Sequence, residues 1–251
     1  MRQLLFLLLV GLLFPCCQSA TEVRQKPEEI KTVKKIVSLR HLVRHPTSKS
    51  SNPPLLIILH GVGANERNLH EPLAQHFDPR LLVVSVRSPI ELGPDAFGWY
   101  KVGFSEDGVV IDAEEEDQGR QQFIRVIDEI VAYYEADPNK VFLLGFSQGA
   151  IMSAAAILSA PEEIRGAVLL SGRVPLAIDK NLATADAIAK VDVYVSHGKK
   201  DKVLPVTDGQ ALKQKLEKAG VRNLIYKEHQ GAHQLDGGHL REVLEWLSVR
   251  L

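Results

Sequence analysis

Gly145-Phe146-Ser147-Gln148-Gly149 follows the apolar run Val141-Phe142-Leu143-Leu144 and precedes Ala150-Ile151-Met152-Ser153-Ala154-Ala155-Ala156-Ile157-Leu158. The first run is short and wholly apolar, as a strand buried on both faces is. The second is dominated by small and helix-favouring residues. A buried strand, a tight turn and a helix are the setting of a GxSxG nucleophile elbow, in which a strained turn presents the serine. Such a turn needs small residues two positions to either side of the serine. Glycine supplies them, because it tolerates unusual φ and leaves room for close backbone approach. Ser147 as a mere helix cap is the competing reading. The rest of the chain decides between them.

Outward from this stretch, apolar runs alternate with amphipathic ones. Upstream, Ile36 to Val43 reads as an outer strand, and Leu55-Leu56-Ile57-Ile58-Leu59 as a central parallel strand ending at His60-Gly61-Val62-Gly63-Ala64-Asn65. Glu66 to Phe77 reads as helix, Leu81 to Val86 as strand, and Gln118 to Tyr134 as a helix with Phe123, Val126, Ile127 and Ile130 on one face. Arg87 to Gly108, rich in Gly and Pro and carrying Trp99-Tyr100, is long for a connection and reads as a functional loop. Downstream, Ile164 to Leu170, Val191 to Ser196 and Leu224 to Glu228 read as strands, with helices over Thr207 to Ala219 and Leu240 to Val249. This order predicts an α/β fold, a mostly parallel central sheet flanked by helices on both faces. No insertion between Ser147 and Asp201 is long enough for a large cap domain, Asn181 to Lys190 being the only extra segment. In such sheets ligands bind beyond the carboxyl ends of the strands.

Composition narrows the chemistry. Thirty Lys and Arg against 31 Asp and Glu leave a formal net charge of −1, so no basic footprint for nucleic acid is expected. The acidic run Glu114-Glu115-Glu116-Asp117 suits a helix N-terminus, and without a matching His or Cys cluster no metal site is expected there. Both cysteines, Cys16 and Cys17, lie in the first 20 residues. The folded domain therefore has no disulfide, Cys-based zinc site or cysteine nucleophile. No cofactor and no metal are expected.

Residues 1–20 carry a charged start, an apolar centre and a small-residue end, the pattern of a secretory signal peptide; the apolar part is too short to span a membrane. Residues 21–35 read as a polar linker and 36–251 as the folded α/β domain. The expected localisation is export, periplasmic or secreted. Membrane association is expected only through acylation at Cys16 or Cys17, and Phe14-Pro15 is a poor match to the small residues of a lipoprotein signal.

A serine hydroxyl needs a base, and the base needs an orienting carboxylate. Asp201, in the loop His197-Gly198-Lys199-Lys200-Asp201 after a strand, is the candidate acid; its flanking lysines also fit a solvated loop aspartate, and Asp208 falls on the exposed face of the next helix. His233, in a loop after the last strand, and His239, at the start of the final helix, are candidate bases, with the loop residue favoured. His197 and His229 read as structural. For the oxyanion, the backbone N–H groups of Gln148, just after the nucleophile, and of Val62, in the His60-Gly61-Val62-Gly63 loop, are the candidate donors. No Lys-Ser or Lys-Thr follows those glycines, which argues against a phosphate loop.

Four blocks together, Leu59-His60-Gly61-Val62-Gly63, Gly145-Phe146-Ser147-Gln148-Gly149, His197-Gly198 through Asp201 to Pro205, and His233 ahead of Trp246-Leu247, resemble the phospholipase/carboxylesterase family of α/β-hydrolases, which includes acyl-protein thioesterases. The resemblance covers most of the chain after the linker. It implies His233 as the base and a loop around Trp99 and Tyr100 lining the acyl site, although Trp99-Tyr100-Lys101 matches the family only partly; a surface loop anchored by its aromatics is the alternative. Gly231-Ala232 also departs from the family's commoner glycine immediately before the histidine. The expected function is a serine esterase cleaving a small-molecule or acyl ester or thioester through Ser147, His233 and Asp201. Peptidase or lactonase chemistry on the same residues, and an exported non-catalytic binding module of the same fold, are the alternatives.

Overall fold

The apolar runs become the strands of one sheet. The computed structural model describes residues 36–251 other than 49, 106 and 107, so the expected leader and linker lie outside the described residues. In chain order the first half holds β1 (His41–Arg44), β2 (Leu55–Leu59), α1 (Arg67–Leu73), β3 (Leu82–Val86), β4 (Ile90–Gly93), β5 (Ala96–Gly98), β6 (Gly103–Ser105), β7 (Gly108–Val110) and α2 (Ala113–Tyr134). The second half holds β8 (Val141–Phe146), α3 (Gln148–Ser159), β9 (Ile164–Leu170), α4 (Ala185–Ile188), β10 (Asp192–Gly198), α5 (Val206–Ala219), β11 (Asn223–His229) and α6 (Gly237–Ser248).

The main sheet runs β1-β3-β2-β8-β9-β10-β11. Only β1 is antiparallel, pairing His41 with Val86 through Arg44 with Val83; every other neighbour is parallel. This is the mostly parallel sheet expected. Alternate residues of a strand face opposite sides. Leu55, Ile57 and Leu59 accordingly join the core with α2, α3 and α5, while Leu56 and Ile58 join the one with α1 and α6. All five are essentially inaccessible to solvent, and burying each such side chain contributes roughly 1.5–3 kcal/mol.

The chain moves from β2 to β3 on one side and later returns with β8 on the other side of β2. That reversal opens a crevice beyond the strand ends, where ligands of such sheets bind. Leu59 stands opposite Gly145 in the β2–β8 register, so the loop after β2 and the turn after β8 meet there.

Several elements differ from expectation. The outer strand is short, because Ser38 gives its N–H to Glu129 Oε2 rather than to a neighbouring strand. The first helix ends at Leu73 and tightens into a 3-10 turn over Ala74–His76, with Pro72 inside it; a proline cannot make the intrahelical bond its N–H would supply. α2 begins at Ala113, because Asp112 accepts from the N–H groups of Glu114 and Glu115 and caps it. Such a cap contributes roughly 0.5–2 kcal/mol. The long stretch after β3 is folded into two small hairpins, β4–β5 and β6–β7.

Candidate active site

Ser147 occupies the turn between β8 and α3 with φ 54° and ψ −118°. This backbone conformation is strained for a residue with a side chain and costs on the order of 1–3 kcal/mol. The surroundings enforce it. A Cβ on Gly145 would stand 2.2 Å from the Gly149 carbonyl oxygen, and one on Gly149 would stand 2.3 Å from that of Leu59. Only glycine lets the three backbone segments meet. The Ser147 N–H donates to Leu170 O on β9 at 2.9 Å, tying the turn to the sheet.

His233, Asp201 and Ser147 are brought into one chain of hydrogen bonds. His233 Nε2 lies 2.9 Å from Ser147 Oγ, and His233 Nδ1 lies 2.6 Å from Asp201 Oδ2. The other Asp201 oxygen accepts from the N–H groups of Val203 and Leu204, both at 2.9 Å. The carboxylate is thus satisfied from both sides while its side chain is out of solvent. Lys199, two residues before Asp201, turns toward Glu228. The loops carrying Asp201 and His233 are cross-tied: Lys199 N–H donates to His229 O at 2.8 Å and Lys200 N–H to Gly231 O at 3.0 Å. The Phe146 ring packs on the imidazole of His233, centroids 5.0 Å apart. A hydroxyl, an imidazole and a carboxylate so linked can pass a proton from the hydroxyl to the imidazole while the carboxylate steadies the resulting cation.

The other histidines do not replace His233 in this series. His239 lies in α6 with Nδ1 2.5 Å from Ser196 Oγ. His197 is wholly buried with Nε2 2.8 Å from Leu204 O and 3.5 Å from Asp201 Oδ2. His229 closes β11, and burial pulls its pKa below the ordinary histidine value.

Val62 lines the same cleft as Ser147, and Gln148 follows Ser147 in the chain. Gln148 is the first residue of α3, so its N–H has no intrahelical partner. Its side chain was not singled out by sequence, yet it grips the neighbouring loop at two points. Oε1 accepts from Trp99 N–H at 2.7 Å, and Nε2 donates to Tyr100 O at 2.9 Å.

Trp99 and Tyr100 therefore correct an expectation. Both are 1% exposed and neither is among the residues lining the cleft above Ser147. Trp99 packs edge-on against Phe123 of α2. Tyr100 Oη accepts from Arg173, whose guanidinium also pairs with the buried Glu116 carboxylate. The backbone of the two aromatics braces Gln148, and their rings are core. Glu116 sits in the acidic run, and its burial is set by Arg173 and the Leu176 N–H, neither of which adjoins it in sequence.

The cleft itself has a volume of ≈ 470 Å³. Val62, Leu69, Phe146, Val203 and Leu235 give it apolar walls, Asn68 and Gln234 add neutral polar groups, and among the described residues no Asp, Glu, Lys or Arg side chain lines it. Among the described residues no group of three or more His, Cys, Asp or Glu side chains is placed to hold a metal ion.

Residues 42–251 match the Phospholipase/Carboxylesterase family. MhqD of Bacillus subtilis (strain 168) is 27% identical over 207 residues, spanning 81% of this chain and 97% of MhqD. Acyl-protein thioesterase 1 of Kluyveromyces lactis is 27% identical over 146 residues, 56% of this chain and 64% of that protein. The crystal structure of the Bacillus cereus carboxylesterase superposes with a TM-score of 0.73 at 26% identity, covering 85% of this chain and 95% of that one.

Proposed function

Because the chain belongs to the Phospholipase/Carboxylesterase family of hydrolases, we propose that it is a serine hydrolase of carboxylic esters or thioesters, with Ser147 as nucleophile. The observation that carries this reading is the bonded series Ser147–His233–Asp201 behind a serine held at positive φ.

In the proposed reaction, Ser147 Oγ attacks the carbonyl carbon as its proton passes to His233 Nε2. Asp201 keeps the proton of His233 on Nδ1 and stabilises the imidazolium. The carbonyl oxygen becomes an anion facing the N–H groups of Val62 and Gln148, each worth roughly 2.7–4 kcal/mol to the transition state. The imidazolium gives its proton to the leaving alkoxide or thiolate, and the carbon–heteroatom bond breaks. Water then repeats the sequence: His233 takes its proton, the hydroxide adds to the acyl carbon, and Ser147 leaves with that proton.

Both leaving-group classes have support. A carboxylesterase and an acyl-protein thioesterase are each among the related proteins, and the apolar walls suit an acyl chain. The test is a series of p-nitrophenyl acyl esters, acyl thioesters and peptides, assayed on the wild type beside Ser147→Ala. Esters or thioesters are expected to turn over and amides not, with Ser147→Ala folded but reduced on the order of 10⁶-fold in kcat. A folded Ser147→Ala protein keeping a tenth of the wild-type rate overturns the proposal.

A further inference from the structure

The geometry points to His60, whose ring hydrogen-bonds Gly61 and Ser88 rather than Ser147, as the residue that aims the Val62 N–H at the oxyanion: a positioning residue rather than a catalytic one. The inference rests on the serine-hydrolase reading and adds to it.

His60 follows the last residue of β2 and is 2% exposed. Its Nε2 accepts the Ser88 N–H at 3.1 Å, with Ser88 Oγ 2.9 Å from the same nitrogen. A backbone N–H can only donate, so Nε2 is the acceptor and the ring proton sits on Nδ1. Nδ1 in turn lies 2.8 Å from the Gly61 carbonyl oxygen, to which it donates.

The Gly61 C=O and the Val62 N–H are the two ends of one planar trans peptide and point in opposite directions; no cis bond occurs among the described residues. A carbonyl drawn toward the buried imidazole therefore turns the N–H the other way, toward the cleft. Gly61 lies directly against the nucleophile, where a Cβ added to it would stand 3.3 Å from Ser147 Cβ. The Val62 N–H itself has no protein acceptor among the described residues. Gly61 has no side chain to resist rotation of that peptide. Ala64 N–H also reaches the Gly61 carbonyl, at a longer 3.2 Å. The histidine supplies the shorter bond and, through Ser88, anchors it to the loop after β3.

Amide variants separate the two ring nitrogens. His60→Asn places an N–H donor near the Nδ1 position and keeps the bond to the Gly61 carbonyl. His60→Gln reaches the Nε2 position, where its oxygen accepts from Ser88, but leaves that carbonyl without a side-chain donor. The Gln protein is expected to lose at least ~30-fold in kcat, approaching the ~10²–10³ cost of a lost oxyanion donor, with KM within about threefold because the donor acts on the transition state. The Asn protein is expected within about fivefold of wild type in kcat. A boronic acid that forms a tetrahedral adduct on Ser147 is expected to weaken in parallel with kcat in the Gln protein alone. Urea midpoints check that both are folded. Should the Gln protein not fold, His60→Leu, an isostere of Asn without a donor, takes its place with the same expected loss.

Equal kcat losses in the Asn protein and its donor-less counterpart overturn the role of His60, as does a counterpart within threefold of wild type. Absence of any ester or thioester turnover in folded wild-type protein overturns the serine-hydrolase reading instead.

Discussion

Asp201→Asn probes the proton path with almost no change in shape. One Asp201 oxygen accepts from two backbone N–H groups, Val203 and Leu204. The asparagine must keep its carbonyl oxygen there, since an NH2 would face two donors. Its NH2 then replaces the oxygen 2.6 Å from His233 Nδ1. A donor in that place forces Nδ1 to accept, which moves the ring proton to Nε2, 2.9 Å from Ser147 Oγ. The imidazole can no longer take the serine proton. The expected loss in kcat at neutral pH is on the order of 10⁴ for this tautomer error, equivalent to about 5.4 kcal/mol. Stability should fall by less than ~3 kcal/mol, the upper range for one charge-assisted bond. Hydrolysis of p-nitrophenyl acetate and urea unfolding of both proteins measure the two effects. A folded Asp201→Asn protein within tenfold of wild-type kcat refutes the argument that Asp201 sets the tautomer of His233.

Two further predictions concern packing and pH. Gly149→Ala drives a Cβ against the Leu59 carbonyl, so the urea midpoint should drop by the equivalent of ~1–3 kcal/mol for overpacking. Its kcat should fall about 10²-fold from a displacement of about 1 Å at Ser147; unchanged kcat and midpoint contradict the packing account of the turn. Burial raises the pKa of Asp192, but Asn223, Arg165 and Arg250 outweigh it and hold the net value below the ordinary carboxylate range. Its unfolded value is about 3.9. The native state therefore binds the proton less readily than the unfolded chain, and the stabilisation is present above about pH 4 and lost as pH falls through the lower folded value. Asp192→Asn should lower Tm at pH 7, with the difference from wild type shrinking by about pH 3; a gap independent of pH refutes this.

The strands of the main sheet were legible because a central parallel strand is apolar throughout, as in Leu55–Leu59, and nothing else in a short stretch looks like it. Ser147, His233 and Asp201 were legible because each falls at a strand's carboxyl end in a fixed chain order. The hairpins after β3 were not. Their strands of three or four residues pair with each other, with one bridge from Phe97 to Ala64, and carry no periodicity long enough to detect. The start of α2 was missed because its signal is a cap, Asp112, rather than an apolar face.

Trp99 and Tyr100 show a different limit. Their residue types indicate burial or binding alike, and only the contacts with Phe123, Arg173 and the Gln148 amide assign them to the support of the site. Likewise, nothing local in Glu114-Glu115-Glu116 marks the third as buried, since its partner Arg173 lies 57 residues away.

Reaction with a fluorophosphonate, read by intact-protein mass and peptide mapping, tests the central claim most directly. A phosphonyl group on Ser147 models the acyl-enzyme and forms only if that hydroxyl is activated. The account predicts one adduct per folded wild-type chain, located on Ser147, and none on folded Ser147→Ala. Folded wild-type protein that stays unlabelled, or an adduct that persists in Ser147→Ala, contradicts it.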